Sequence, residues 1–191
     1  LHGYGSNEQD LFSFAQELPS ELLIISVRAP LSLGFGSYAW YSINFEADRD
    51  NFSNLEEANT ALKAIDAFID GLLDKYKPDT TRIFLMGFSQ GAVMAYALAI
   101  LHPKKVERIA AIASFIPQHW KSDLDAETLK NKSFFIAHGT KDDIIPLKKA
   151  RQAAQWLEDK GADVIFCTAD TGHKISANCF NGLGEFFQRD Y

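Results

Sequence analysis

Arg82-Ile83-Phe84-Leu85-Met86-Gly87-Phe88-Ser89-Gln90-Gly91-Ala92-Val93 decides how this chain folds. The stretch from Ile83 to Met86 is an apolar run of strand type, and the residues after Gln90 open a helical pattern. Between them, Gly87-Phe88-Ser89-Gln90-Gly91 is a G-x-S-x-G element at a sharp strand-to-helix turn. The glycines allow backbone segments to approach without Cβ collisions, so Ser89 Oγ is expected to stand clear of both flanking elements. The plainer reading is a glycine-flanked turn serine that merely caps the following helix; the strand pattern before it and the helix pattern after it favour catalysis.

Outward from this turn, strand and helix patterns alternate. Toward the amino terminus, Ser6 or Asn7 caps a predicted helix carrying Leu11, Phe14, Ala15 and Leu18 on one face, ended by Pro19. Leu22 to Val27 is a short run, apolar but for Ser26, that predicts a strand covered on both sides. Leu31 to Tyr41 is Gly-, Ser- and aromatic-rich and reads as loop, and Asn54 to Tyr76 as a long helix closed by Pro78. Beyond the serine come a helix to Leu101 and strands over Val106–Ala113, Ser133–Ala137 and Val164–Thr168. A helix starting near Pro146 and another over Ile175–Phe187 complete the series. Short connections between alternating elements imply one α/β domain over residues 1–191, with a mainly parallel sheet and helices on both faces. Ligands of such sheets gather at the carboxyl ends of the strands, so residues just after strands are the candidates for chemistry.

Composition bounds the function. The chain has 191 residues, 47% hydrophobic, with a net charge of −6. That suffices for a substantial core. It includes no basic cluster suited to nucleic acid or anionic lipid, and no apolar run approaching the ~20 residues that span a bilayer. Cys167 and Cys179 make neither a disulfide framework nor a metal-ligand spacing; Cys167 reads as a reduced core residue, which fits a cytoplasmic setting. The chain opens on Leu1, already inside a loop of functional type, so strands preceding it are expected to be missing from this sequence.

A serine nucleophile needs a base. Of five histidines, His102 precedes Pro103 at a helix end, where a cation complements the helix dipole, and His119 follows no strand closely. His2 and His138 lie in His-Gly turns, where an imidazole bonds backbone. His173 follows the last strand, leads into the last helix and comes after the nucleophile, and is the expected base. The acid should lie between Ser89 and His173. Asp142 is the first choice; adjacent Asp143 suits the turn or the next helix start, and Asp170 reads as a turn former. Oxyanion donors are expected from the backbone N–H of Gln90 and from that of Tyr4 in the glycine-rich loop His2-Gly3-Tyr4-Gly5-Ser6. Trp40, Phe115, Ile116 and Ile144 lie in or beside loops after strands and are candidates for an apolar acyl groove, with Phe35, Tyr41 and Ile175 near them. Trp120 reads as a surface-loop residue and Trp156 as helix packing.

Together, Leu1-His2-Gly3-Tyr4-Gly5, Gly87-Phe88-Ser89-Gln90-Gly91-Ala92, His138-Gly139 followed by Asp142 and Ile145-Pro146, and Gly172-His173 resemble the phospholipase/carboxylesterase family of small α/β-hydrolases, which includes acyl-protein thioesterases. The resemblance implies the α/β-hydrolase fold and a Ser89–His173–Asp142 triad, the acid being four residues after the histidine of the His-Gly pair. The expected activity is that of an esterase on small or lipid-like acyl esters, or alternatively an acyl-protein thioesterase or lysophospholipase; the triad chemistry calls for no metal or organic cofactor, and a monomer or homodimer is expected. The resemblance also implies a Trp near the acyl site in the loop Ser37-Tyr38-Ala39-Trp40-Tyr41. One departure stands out: where the family has Ser-Gly before an aromatic residue and Pro, this chain has Ala113-Ser114-Phe115-Ile116-Pro117, with Ser114 replacing the glycine. A vestigial hydrolase that only binds its ligand is the non-enzymatic alternative.

Overall fold

The computed structural model describes residues 1–44, 54–121 and 128–189. In chain order these form β1 (Leu31–Gly34), β2 (Ser37–Ala39), α1 (Leu55–Tyr76), β3 (Phe84–Phe88), α2 (Gln90–Leu101), β4 (Arg108–Ile112), β5 (Ser133–Gly139), α3 (Leu147–Asp159), β6 (Asp163–Ala169) and α4 (Ala177–Gln188). The main sheet is parallel throughout, in the order β3-β4-β5-β6.

The strands are apolar on both faces because both are covered. Ile109 and Ala111 of β4 and Phe134 and Ile136 of β5 pack with α1, α2 and α3. Their alternates, Ala110 and Ile112, Phe135 and Ala137, pack with Leu183, Phe186 and Phe187 of α4. This period-two division is what continuous apolar strands in a three-layer α/β domain require. α2 is buried along almost its whole length, from Gln90 to Ile100, which fixes the first turn of that helix within the body of the protein. α1 is amphipathic instead, burying Ala58, Leu62, Ile65 and Ile69, and starts where the Asn54 side chain accepts the Glu57 N–H. At α4, Ser176 caps by accepting the Cys179 N–H.

Several expectations are corrected. The predicted first helix is a seven-residue 3-10 helix, Leu11–Glu17. Its expected caps are used locally: the Ser6 hydroxyl donates to Asp10, and Asn7 Oδ1 accepts the Gln9 N–H, which favours turns over an α-helical start. Leu22–Val27 is not a strand; it has no ladder partner among the described residues and instead borders a cavity of about 510 Å³ that reaches Ile65, Ile69 and Leu85. Its side chains are only partly covered, with Leu23 58% and Ile25 36% exposed, so apolar composition here marks neither a buried strand nor a paired one. The Leu31–Tyr41 stretch, read as loop, contains the β1–β2 hairpin, turned by Gly34, Phe35 and Gly36, all with positive φ. Trp120, expected on the surface, is buried.

Cys167 of β6 is disulfide-bonded to Cys179 of α4. This corrects the reading of Cys167 as a reduced core residue and removes the support it lent to a cytoplasmic setting. No helix among the described residues is long and apolar enough to cross a membrane.

Candidate active site

Ser89 links β3 to α2 with φ 51° and ψ −116°, a left-handed conformation that costs a non-glycine residue about 1–3 kcal/mol. Four hydrogen bonds hold it there. Its N–H donates to Ile112 O at 2.8 Å, and its carbonyl accepts from Ala92 N (3.0 Å), Val93 N (3.1 Å) and the Ser114 hydroxyl (3.0 Å). The flanking glycines serve close approach. A Cβ on Gly87 would stand 2.5 Å from Ala92 N, and one on Gly91 would stand 2.1 Å from Leu1 O. The turn thus packs directly against the segment that carries His2, Gly3 and Tyr4.

Beyond β5 and β6, two loops are zipped together. Thr140 N–H donates to Ala169 O at 2.8 Å and Lys141 N–H to Thr171 O at 3.0 Å. Gly139 allows this: a Cβ there would lie 2.2 Å from the carbonyl oxygens of both Thr171 and Gly172. The first loop carries Asp142 and the second His173, so the chain's widely separated candidates meet. His173 Nδ1 donates to Asp142 Oδ2 at 2.8 Å. A carboxylate only accepts, so Nδ1 bears a proton, and in the neutral imidazole Nε2 is then the acceptor. The Ser89 hydroxyl donates to that Nε2 at 3.0 Å. Phe88 sets an edge-on ring against the imidazole, with centroids 5.1 Å apart.

Asp142 is oriented on every side. Its Oδ1 accepts the N–H groups of Ile144 (3.0 Å) and Ile145 (2.8 Å), and its side chain is fully buried. His138 Nε2 donates to Ile145 O at 2.8 Å and stands 3.4 Å from Asp142 Oδ2, so the His-Gly turn supports the acid from behind. Asp143 is exposed, and Asp170 is engaged with Lys141 at 2.8 Å and does not reach the imidazole row.

Gln90 is the first residue of α2, where N–H groups have no intrahelical acceptor. Tyr4 sits in a turn closed by Ser6 N–H to Gly3 O (3.2 Å) and anchored on β2 by Gly5 N–H to Tyr38 O (2.9 Å). Beneath it, buried His2 donates through Nδ1 to Gly3 O (2.8 Å) and accepts the Ala29 N–H through Nε2 (3.1 Å). Burial holds the His2 pKa below the ordinary histidine value.

The apolar candidates divide. Ile144 is half exposed and Phe115 partly so, whereas Ile116 is buried and Trp40 is only 2% exposed, its indole N–H donating to His2 O at 2.8 Å. Trp40 therefore backs the loop of residues 2–4 rather than presenting an open face. Two contacts lay outside the sequence reading. One is the Ser114 hydroxyl on the Ser89 carbonyl, whose only sequence signal is the replaced glycine. The other is the Gln90 side chain, for which G-x-S-x-G carries no signal. No group of three or more His, Cys, Asp or Glu residues among the described residues could hold a metal ion.

A parallel sheet with helices on both faces, and a serine on a tight elbow beyond a strand, belong to the α/β-hydrolase fold. Residues 1–189 match the phospholipase/carboxylesterase family, and the chain belongs to it. An acyl-protein thioesterase 1 of Mycosarcoma maydis is 27% identical over 190 residues, covering 88% of this chain and 79% of that one. A probable inactive carboxylesterase of Oryza sativa subsp. japonica is 24% identical over 206 residues, covering 100% and 79%. Among solved structures, the Bacillus cereus carboxylesterase superposes with a TM-score of 0.84 at 26% identity, over 98% of this chain and 84% of that one. This is a family of hydrolases.

Proposed function

We propose that the protein is a serine esterase that cleaves carboxylic esters with short to medium acyl groups through an acyl-enzyme. The observation that carries the proposal is the unbroken row from Ser89 Oγ to His173 Nε2 (3.0 Å) and from Nδ1 to Asp142 Oδ2 (2.8 Å).

A serine hydroxyl attacks an acyl carbon only if its proton leaves as the bond forms, and the bare Nε2 of His173 is positioned to take it. Asp142 keeps that nitrogen bare by holding the proton on Nδ1, and stabilises the imidazolium that results. Charge gathers on the former carbonyl oxygen, and the backbone N–H groups of Gln90 and Tyr4 are its proposed donors. The imidazolium then protonates the departing alkoxide, leaving the acyl group on Ser89. Water repeats the sequence, giving its proton to Nε2 and releasing the acid and the free serine. Phe115 and Ile144, the partly exposed members of the apolar set, are the proposed acyl contact surface.

Thioester cleavage by the same groups is the second reading, favoured by relatives named acyl-protein thioesterase. A binding protein without turnover is the third; the intact row speaks against it. A panel of p-nitrophenyl esters and acyl thioesters graded by chain length tests the proposal. Highest kcat/KM for C2–C8 oxygen esters, lost in Ser89→Ala, is the expected result. Preference for long-chain thioesters would move the assignment to the second reading, and turnover retained in Ser89→Ala would refute all serine-based readings.

A further inference from the structure

Gln90 serves the site through its backbone, but its side chain has a separate set of contacts. The residue is 3% exposed, and one stretch of backbone holds its carboxamide at both ends: Oε1 accepts the Trp40 N–H at 2.9 Å and Nε2 donates to Tyr41 O at 2.7 Å. Only one orientation of the amide satisfies a donor on one side and an acceptor on the other. The contact continues onward. Trp40 Nε1 donates to His2 O at 2.8 Å, and the His2 ring is itself fixed between Gly3 O and the Ala29 N–H. His2 and Gly3 lead directly into Tyr4.

A buried relay therefore runs from the side chain of the residue that supplies one proposed oxyanion donor to the loop that supplies the other. We infer that the Gln90 carboxamide is a positioning group for the oxyanion hole, setting the loop of residues 2–4 against the first turn of α2 through Trp40 and His2. The inference rests on the esterase reading above. The physical reason is that the two N–H groups belong to segments 86 residues apart in sequence, whose spacing no covalent geometry controls. An oxyanion is stabilised only when both donors stand about 2.7–3.1 Å from it. An error near 1 Å costs on the order of a hundredfold in rate. Since the charge exists in the transition state and not in the bound ester, loosening the relay lowers kcat and spares KM.

Two variants test this, Gln90→Met and Gln90→Glu, each keeping the backbone N–H. With p-nitrophenyl butyrate, Gln90→Met is expected to lose about 10–100-fold in kcat with KM within about threefold. A trifluoromethyl ketone, whose adduct on serine carries an oxyanion, should weaken by the same factor as kcat/KM. Gln90→Glu adds a pH signature. At pH 8.5 the introduced carboxylate has no proton to offer Tyr41 O and the variant should match Gln90→Met. Burial against the Tyr41 carbonyl raises the pKa of the introduced carboxyl, so at pH 6 its protonated form donates to Tyr41 O and accepts from Trp40, and kcat relative to wild type should rise at least fivefold. Packing alone predicts a lower melting temperature with kcat at 25 °C retained, and a flat Gln90→Glu ratio. Either of those results overturns the inference while wild-type turnover leaves the esterase reading standing. If Gln90→Met does not fold, the Gln90→Glu ratio decides alone. A wild-type protein without esterase activity would remove both readings together.

Discussion

The disulfide between Cys167 and Cys179 spans twelve positions, and His173 lies at the midpoint of the span. The crosslink ties the end of β6 to the first turn of α4, the two elements that carry the histidine loop.

Closing a loop of this size removes freedom from the unfolded chain worth about 3 kcal/mol. The Cys167→Ser, Cys179→Ser double variant is expected to lose roughly that much in urea denaturation. The loop is also bonded to Thr140 and Lys141, so kcat at 25 °C should fall less than tenfold. An unchanged midpoint would show that the crosslink does not restrain the unfolded chain.

Gly139→Ala places a methyl group 2.2 Å from two carbonyl oxygens of the histidine loop. The loops must separate, carrying His173 away from Asp142 and Ser89. Steady-state kinetics should give a kcat at least a hundredfold below wild type, alongside a stability loss of about 1–3 kcal/mol. Near-normal turnover in this variant would mean that the two loops need not be closed for the chemistry.

Asparagine at the acid position preserves shape but accepts or donates with the wrong tautomer of His173. Asp142→Asn should lower kcat by about 10⁴. Asp143→Asn, at an exposed neighbour, should stay within about threefold. If the two effects were exchanged, the acid assignment would be wrong.

His2 binds a proton less readily folded than unfolded, because burial lowers its pKa and its Nε2 must remain bare to accept from Ala29. As pH falls below the unfolded value of about 6.5, the unfolded chain takes up a proton that the folded chain refuses. Stability therefore declines from neutral pH toward pH 5. Urea midpoints of wild type and His2→Gln between pH 8 and 5 isolate this contribution, with the steeper decline expected in wild type. Parallel curves would exclude it.

What could be read in the sequence followed from local chemistry. The elbow at Ser89, the strand ends before Asp142 and His173, and the parallel order all come from periodicity, glycine placement and short connections. What could not be read depended on the fold itself. Leu22–Val27 has strand composition, but composition carries no information about which edge is available to pair. Cys167 and Cys179 meet only because β6 ends against α4. The β1–β2 hairpin is turned by Gly34-Phe35-Gly36 within a stretch whose glycines and serines signal loop. Trp40 carried an aromatic signal that cannot distinguish an open wall from a buried support. The Gln90 amide contacts residues 49 and 50 positions away, beyond the reach of any local motif.

In the proposed mechanism, His173 and Asp142 make the Ser89 hydroxyl reactive. Fluorophosphonate labelling of the folded protein, with the adduct located by peptide mass spectrometry, tests it most directly. One adduct per chain is expected, on Ser89, formed at least a hundredfold more slowly in His173→Ala. A folded protein that leaves Ser89 unmodified, or labels it equally fast without the imidazole, would contradict it.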